Sequence, residues 1–244
     1  LIPVDVLEGE SVPETIVDAF ASIPVVVLGY REIPDQTSPE QARDEYGDRA
    51  RAELEELRTV FENAGCDVTS RLVFTHDRLK TFERVAVEDA CDAVLLLNPA
   101  PILETVLVAL RGDVNVEHIA RLLATILADT TLELTLFHVA PDDAQKAAGT
   151  ALLETARSEL VAAGIDDDRI DSTVVVDDSP TAAIVEASAD HDLLVAGESR
   201  PSIRRAIFRD RAKRLARRTV DPVVVIRGEY LEPEADEATA PTED

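Results

Sequence analysis

The stretch of sequence that decides the fold reads Asp192-Leu-Leu-Val-Ala-Gly197-Glu-Ser-Arg-Pro-Ser202, and a basic segment then leads to Asp221-Pro-Val-Val-Val-Ile226. An apolar run ends at a glycine, a serine-led helical pattern follows, and a proline-led apolar run closes the segment. This order predicts a strand, a tight turn, a helix and a second strand. Such a turn gathers unpaired backbone N–H groups and the positive end of a helix dipole at one place, where an anion can bind.

The same alternation of short apolar runs and helical patterns continues along the chain. Pro24–Leu28 and Val106–Leu110 are apolar runs of strand length, whereas Arg49–Asn63 spaces its apolar residues along one helical face. Strands buried on both faces give continuous apolar runs, and right-handed crossovers then place helices on both sides of a parallel sheet. We therefore predict an α/β fold built from open, Rossmann-like parallel-sheet sandwiches.

An internal repeat with a period of roughly 100 residues organises the chain. Three pairs of segments match in order: Ile2–Glu10 with Thr105–Asp113, Ala64-Gly65 with Ala163-Gly164, and Thr81–Asp92 with Thr181–Asp192. The repeat predicts two tandem domains, at residues 1–100 and 104–229. The first domain has no room for the last helix and strand, because the second copy begins almost directly after Leu97-Asn-Pro-Ala-Pro101. Residues 230–244 are acidic with little apolar content, and we expect this tail to be disordered.

The Gly197 turn, its helix and its closing strand resemble the nucleotide loop of the universal stress protein family. That loop runs Gly-x-x-Gly and, after a spacer, Gly-Ser or Gly-Thr. In this chain Arg200 or a neighbour replaces the second glycine, and Arg209-Asp210 replaces Gly-Ser. The resemblance covers residues 1–227 and implies a tandem form of the family.

The family resemblance also implies an ATP site, but its key positions differ here. In the family the first strand ends in an Asp that reaches the adenine side of ATP; the matching residues are Glu8 and Arg111. Arginine has no hydrogen-bond acceptor, so Arg111 cannot perform that role. Glycines let the backbone approach phosphates, whereas Asp210 would repel them. We therefore expect no cofactor, with ATP disfavoured, and no metal.

The resemblance implies a set of nucleotide- or anion-binding candidates in the second domain. They are Arg111, Gly112, Asp113, Gly197, Ser199, Ser202, Arg204, Arg205, Arg209 and Asp210. Ser199 and Ser202 can offer hydroxyls beside helix N–H groups, and Arg204 and Arg205 oppose the dipole in the first helical turn. A compensating negative charge is therefore expected nearby.

The basic segment 200–218 has two interpretations. It contains a single acidic residue and nine basic ones, which are Arg200, Arg204, Arg205, Arg209, Arg211, Lys213, Arg214, Arg217 and Arg218. It is either a solvated face paired with acids on neighbouring helices, at ~0–1 kcal/mol per exposed pair, or a surface that binds an anion or an acidic partner. Both interpretations remain open from the sequence.

Composition narrows the class of protein. The net charge is −25, and only three lysines occur. A surface this acidic suits a salt-adapted, halophilic cytoplasm and argues against a nucleic-acid partner. No apolar run is long enough for a membrane span, no basic-then-apolar pattern predicts a leader, and Cys66 and Cys91 lie apart, so we expect a reduced, cytoplasmic protein.

Other polar groups are weaker candidates for chemistry. His76-Asp77 and His191-Asp192 resemble parts of a catalytic relay, but no motif ties a nucleophile to either. We expect a structural hydrogen bond for His138 and a solvated turn, not a calcium loop, for Asp166–Asp168.

The sequence thus predicts a non-enzymatic stress-response or regulatory module that binds a protein partner or itself, with an anion as a further candidate ligand. Two alternatives remain: an ATP-binding member of the family with weak ATPase activity, and the cytosolic regulatory part of a transporter. The lack of any methionine is compatible with a chain cut from a longer protein.

Overall fold

The computed structural model describes residues 1–97, 103–112, 116–127, 130–197 and 223–226. We call residues 1–97 the first half and the described residues from 103 onward the second half. The first half contains, in order, β1 (Ile2–Asp5), α1 (Glu14–Ala19), β2 (Val25–Glu32), α2 (Pro39–Asn63), β3 (Val68–Thr75), α3 (Arg78–Glu88) and β4 (Ala93–Leu96).

The second half repeats this element order and adds one strand. Its elements are β5 (Thr105–Ala109), α4 (Val116–Leu127), β6 (Glu133–Ala140), α5 (Lys146–Ala162), β7 (Ile170–Val176), α6 (Pro180–Ala187), β8 (Leu193–Gly197) and β9 (Val223–Ile226). The helix predicted within residues 202–218 lies outside the described residues.

The strands form one three-stranded sheet, in the order β1-β2-β3, and one six-stranded sheet, in the order β4-β9-β8-β5-β6-β7. Every described pair is parallel except β4 with β9. The amide of Leu95 donates to the Leu1 carbonyl at 2.9 Å, which places the start of β1 beside β4. The spatial order β3-β2-β1-β4 in the first half therefore equals β7-β6-β5-β8 in the second. This confirms the predicted α/β fold and the shortened first copy.

The six-stranded sheet crosses the boundary that the sequence repeat suggests. The repeat assigns β4 to residues 1–100, yet β4 is hydrogen-bonded to β9, with Leu95 opposite Val224. A short, fully apolar strand carries no sequence signal for its direction or its partner. The domain limits at 100, 104, 229 and 230 stay predictions, and residues 98–102 and 227–244 lie outside the described residues.

Both long helices end in the same glycine motif. Gly65 and Gly164 follow α2 and α5 with φ angles of +90° and +103°, a region that favours glycine. The next amide donates back into the last turn in each case: Cys66 to the Phe61 carbonyl at 3.0 Å, and Ile165 to the Leu160 carbonyl at 3.1 Å. These bonds satisfy carbonyls that the helix end leaves unpaired.

The main core is continuous between the halves. One cluster of buried apolar side chains includes Val4 and Phe61 of the first half together with Leu127 and Leu136 of the second. Burial of such residues contributes about 25 cal/mol per Å² of apolar surface. The two halves are therefore held together by apolar packing as well as by the β4–β9 pair.

Candidate functional site

The candidate site lies at the carboxyl ends of β5 and β8. These strands are neighbours, with Ala109 opposite Ala196, and the chain order reverses around them because β6 lies on the other side of β5. Open parallel sheets bind ligands in the crevice at such a switch point. Arg111 and Gly112 follow β5 after Leu110, and Gly197 ends β8. The structure therefore brings these candidates, which lie far apart in sequence, to one edge of the sheet.

The remaining site predictions fall on residues outside the described ranges. These residues are Asp113, Ser199, Ser202, Arg204, Arg205, Arg209 and Asp210, and their roles stay predictions. The same holds for the basic segment 200–218.

The backbone leading to Arg111 is fixed by two hydrogen bonds. The amide of Leu110 donates to the Phe137 carbonyl at 2.9 Å, and Nδ1 of His138 donates to the Leu110 carbonyl at 2.9 Å. The predicted structural role of His138 is thus confirmed. Because both the amide and the carbonyl of Leu110 are hydrogen-bonded to β6, the backbone that leads into Arg111 is fixed at this edge of the sheet.

The equivalent edge of the first half is occupied by its own ion pairs. Glu8, the match of the family's Asp, forms an ion pair with Arg31 of β2. The same guanidinium lies 3.6 Å from Asp5, the last residue of β1. The Glu8 carboxylate is therefore already paired with a side chain of the neighbouring strand.

Glu10 closes the loop after β1. Its Oε2 accepts a hydrogen bond from the amide of Asp5 at 2.6 Å. Burial raises the pKa of Glu10, and the nearby Asp5 charge acts in the same direction, while the Asp5 amide and Arg78 partly oppose it. Burial, together with the charge of Glu10, also raises the pKa of Tyr30 to about 12. The loop is thus a self-contained polar cluster.

Asp192 ties two strands together and is not part of a catalytic relay. Its Oδ2 accepts from the amides of Glu104 and Thr105 and from the Thr105 hydroxyl, each at 2.9 Å. Burial alone would raise its pKa, but these hydrogen bonds outweigh burial and lower the pKa. Asp192 lies at the amino ends of β5 and β8, opposite the edge that holds Arg111.

The three other histidine and carboxylate candidates also have structural partners. Nδ1 of His191 donates to the Ala187 carbonyl at 2.9 Å, and its Nε2 lies 3.0 Å from the Thr135 hydroxyl. Nε2 of His76 donates to the Thr37 carbonyl at 2.9 Å, while Asp77 caps α3. Each of these groups is used to hold neighbouring elements together.

The carboxylate run at residues 166–168 is exposed, as expected, but it begins a short 3-10 helix, Asp167–Arg169, where a turn was expected. Asp167 forms an ion pair with Arg157 at 2.6 Å, and this bond lowers the pKa of Asp167. Within the described ranges, no group of three or more His, Cys, Asp or Glu side chains is arranged to hold a metal ion. The helices of the described residues are also each too short or too polar to cross a membrane.

Sequence comparison identifies the family. The model of the universal stress protein family matches residues 103–227, just over half of the 244 residues. The chain therefore belongs to the universal stress protein family. No curated protein matches it in sequence.

Two solved structures share the fold over most of the chain. One is a universal stress protein from Archaeoglobus fulgidus DSM 4304, with a TM-score of 0.58, 15% identity, and coverage of 88% of this chain and 90% of that chain. The other is the cytoplasmic domain of a prokaryotic cation chloride cotransporter, with a TM-score of 0.51, 15% identity, and coverage of 92% and 93%.

Proposed function

We propose that this protein is a non-enzymatic stress-response or regulatory interaction module whose nucleotide site no longer suits ATP. The observation that supports this most is the position of Arg111. It follows β5 at the switch point, on the strand next to Gly197, where the family resemblance implies an Asp. A guanidinium only donates hydrogen bonds, so it cannot accept one from an adenine amine or a ribose hydroxyl.

The first half supports the same proposal. Its matching carboxylate, Glu8, pairs with Arg31, and Glu10 accepts from the Asp5 amide. A nucleoside that used Glu8 would have to replace an existing ion pair. Exchange of one partner for another gives little net free energy.

A site with a cation at its edge favours an anion or an acidic partner. Arg111 supplies one guanidinium at the switch point, and the predicted basic segment would add others. We propose that this edge binds an inorganic anion or an acidic protein surface. In cells at molar salt, only close, hydrogen-bonded charge pairs would retain strength, because the Debye length is ~3 Å at 1 M.

Thermal unfolding with sulfate or phosphate tests the anion site. The parent should gain stability over sodium chloride of equal ionic strength, and the variant Arg204→Gln/Arg205→Gln should lose that gain. Arg121→Gln is the control, since Arg121 is an exposed residue of α4 that pairs with Glu117. An equal sulfate effect in parent and double variant would refute the anion site.

A second candidate function is the cytoplasmic regulatory part of a transporter. It is favoured by the fold shared with the cotransporter domain over 92% of this chain. Fractionation of the source cells, followed by antibody detection, tests it. The transporter proposal requires the protein in the membrane pellet after washing at high salt; recovery in the supernatant alone refutes it.

A further inference from the structure

A cavity of about 210 Å³ lies where the two halves meet, away from the site at Arg111. Phe20 and Ile23 line it from the segment after α1, Leu122 and Ile126 line it from α4, and Val224 lines it from β9. Phe20, Ile126 and Val224 are buried, and Ile23 and Leu122 pack against the same core cluster. The walls are therefore apolar and come from both halves.

The mouth of the cavity is polar and is formed by the turn between α3 and β4. Asp89, Cys91 and Asp92 line it there. Ala90 between them has a φ of +49°, an uncommon value for a residue with a β-carbon. Ala90 takes the left-handed cap position at the end of α3, where the Cys91 amide donates to the Ala86 carbonyl at 2.8 Å, as the amides after Gly65 and Gly164 do at the ends of α2 and α5.

The mouth offers acceptors more than donors. Asp89 pairs with Arg71 at 3.1 Å, and Asp92 lies 3.9 Å from Nε2 of His118, so both carboxylates keep further lone pairs. Among the described residues that line the cavity, the charged side chains are Asp89 and Asp92, so a positively charged head group suits this mouth better than a carboxylate or a phosphate.

We propose that this cavity binds a small apolar molecule with a protonated amine at one end. The ring or alkyl body would lie against Phe20, Leu122 and Ile126, and the amine would face Asp89 and Asp92. An apolar cavity of roughly 150 Å³ takes up benzene, so this cavity admits one ring with a short substituent. Because both halves supply walls, occupation stabilises their packing and gives the module an effector site.

Thermal unfolding in molar salt tests which head group the cavity accepts. The three probes have similar aromatic bodies and differ in their polar group: benzylamine, benzyl alcohol and benzoate. Benzylamine should raise the melting temperature by about 3 °C at ten times its Kd, since only the folded state binds it. Benzyl alcohol should act more weakly and benzoate should have no effect. No shift with benzylamine, or an equal shift with benzoate, overturns the proposal.

Two further measurements locate the bound probe. Leu122→Trp fills the cavity and should remove the benzylamine shift, whereas Arg121→Trp, on the neighbouring exposed position of α4, should retain it. In the parent, benzylamine should also slow alkylation of the half-buried Cys91 by iodoacetamide at least threefold; Cys66, 7% exposed, serves as the internal reference. Unchanged Cys91 alkylation at saturating benzylamine, or an undiminished shift in Leu122→Trp, overturns the site.

Discussion

Gly149 of α5 lies so close to His138 of β6 that a β-carbon on Gly149 would come within 2.5 Å of the His138 Cδ2. The imidazole cannot simply turn away, because its Nδ1 donates to the Leu110 carbonyl at 2.9 Å. The glycine thus lets α5 pack directly on the ring that holds the backbone before Arg111. This contact links the packing of the helix to the geometry of the candidate site.

Gly149→Ala should therefore destabilise the protein by about 1–3 kcal/mol through overpacking. The control is Gly47→Ala in α2, where the three atoms nearest the new methyl belong to the Arg43 and Arg51 side chains. Those long side chains can move, and alanine favours the helix by up to about 1 kcal/mol. Urea unfolding of both variants measures the difference, and equal stabilities would contradict the packing argument.

Replacement of Asp192 should weaken the amino ends of β5 and β8. Asp192→Ala leaves the amides of Glu104 and Thr105 without their acceptor and should cost about 2–3 kcal/mol. Asp192→Asn retains an acceptor oxygen and should cost less. Urea unfolding gives both values; a loss in Asp192→Ala no larger than in the exposed control Asp178→Ala would contradict the assigned role.

The lowered pKa of Asp192 also determines in which direction the stability of the protein changes with pH. A carboxyl with a depressed folded-state pKa adds stability above its unfolded value of about 3.9, and that stability is lost as the pH falls through the folded value. The stability difference between the parent and Asp192→Asn should therefore shrink in acid below about pH 4. A difference that stays constant down to pH 2 would contradict this charge effect.

Glu10 should show the opposite pH dependence, because its pKa is raised. Its contribution is greatest below the unfolded value of about 4.3 and falls as the pH rises through the folded value. Glu10→Gln keeps an oxygen for the Asp5 amide and removes the buried charge. We expect a gain within about 1 kcal/mol at pH 7 that vanishes near pH 4.

Urea unfolding at the two pH values measures the Glu10 effect. Glu56→Gln, at an exposed position of α2, is the control and should show no such pH-dependent gain. A loss of stability in Glu10→Gln at pH 7 would show that the charged carboxylate stabilises the loop, contrary to this account.

Stability should rise with salt because the chain repels itself. At a net charge of −25, repulsion extends over a Debye length of ~30 Å at 0.01 M salt and ~3 Å at 1 M. The melting temperature should increase on the order of 10 °C across that range. Sucrose of matched osmolarity is the control, since it does not screen charge. A flat profile in sodium chloride would refute salt adaptation of this surface.

Local signals in the sequence predict much of the fold. The glycines after the long helices predict their ends, and Gly65 and Gly164 adopt the expected backbone. The apolar face predicts a helix over Arg49–Asn63, whereas α2 begins at Pro39. The apolar pattern does not extend over the first turns because they bury small residues only. The cap was visible in the sequence: Ser38 accepts from the Gln41 amide at 3.2 Å, and proline follows it.

Long-range pairings could not be predicted in the same way. The antiparallel contact of β4 with β9 joins two short apolar strands whose sequences carry no preference for direction. The Arg31–Glu8 pair depends on the register of β1 against β2, which polar residues at a strand end do not specify. By contrast, the family resemblance implied that Arg111 and the Gly197 strand belong to one site, and the structure places them at the same edge of the sheet.

Isothermal titration calorimetry with ATP, in high salt and with magnesium, tests the central claim most directly. Because Arg111 has no acceptor for the adenine or ribose and the first-half carboxylate Glu8 is paired with Arg31, we expect no site tighter than ~100 μM, about −5.5 kcal/mol. Arg111→Asp, which restores the acceptor, is the variant to compare. A micromolar isotherm in the parent, or adenine nucleotide retained through purification, would contradict the account and favour the ATP-binding alternative.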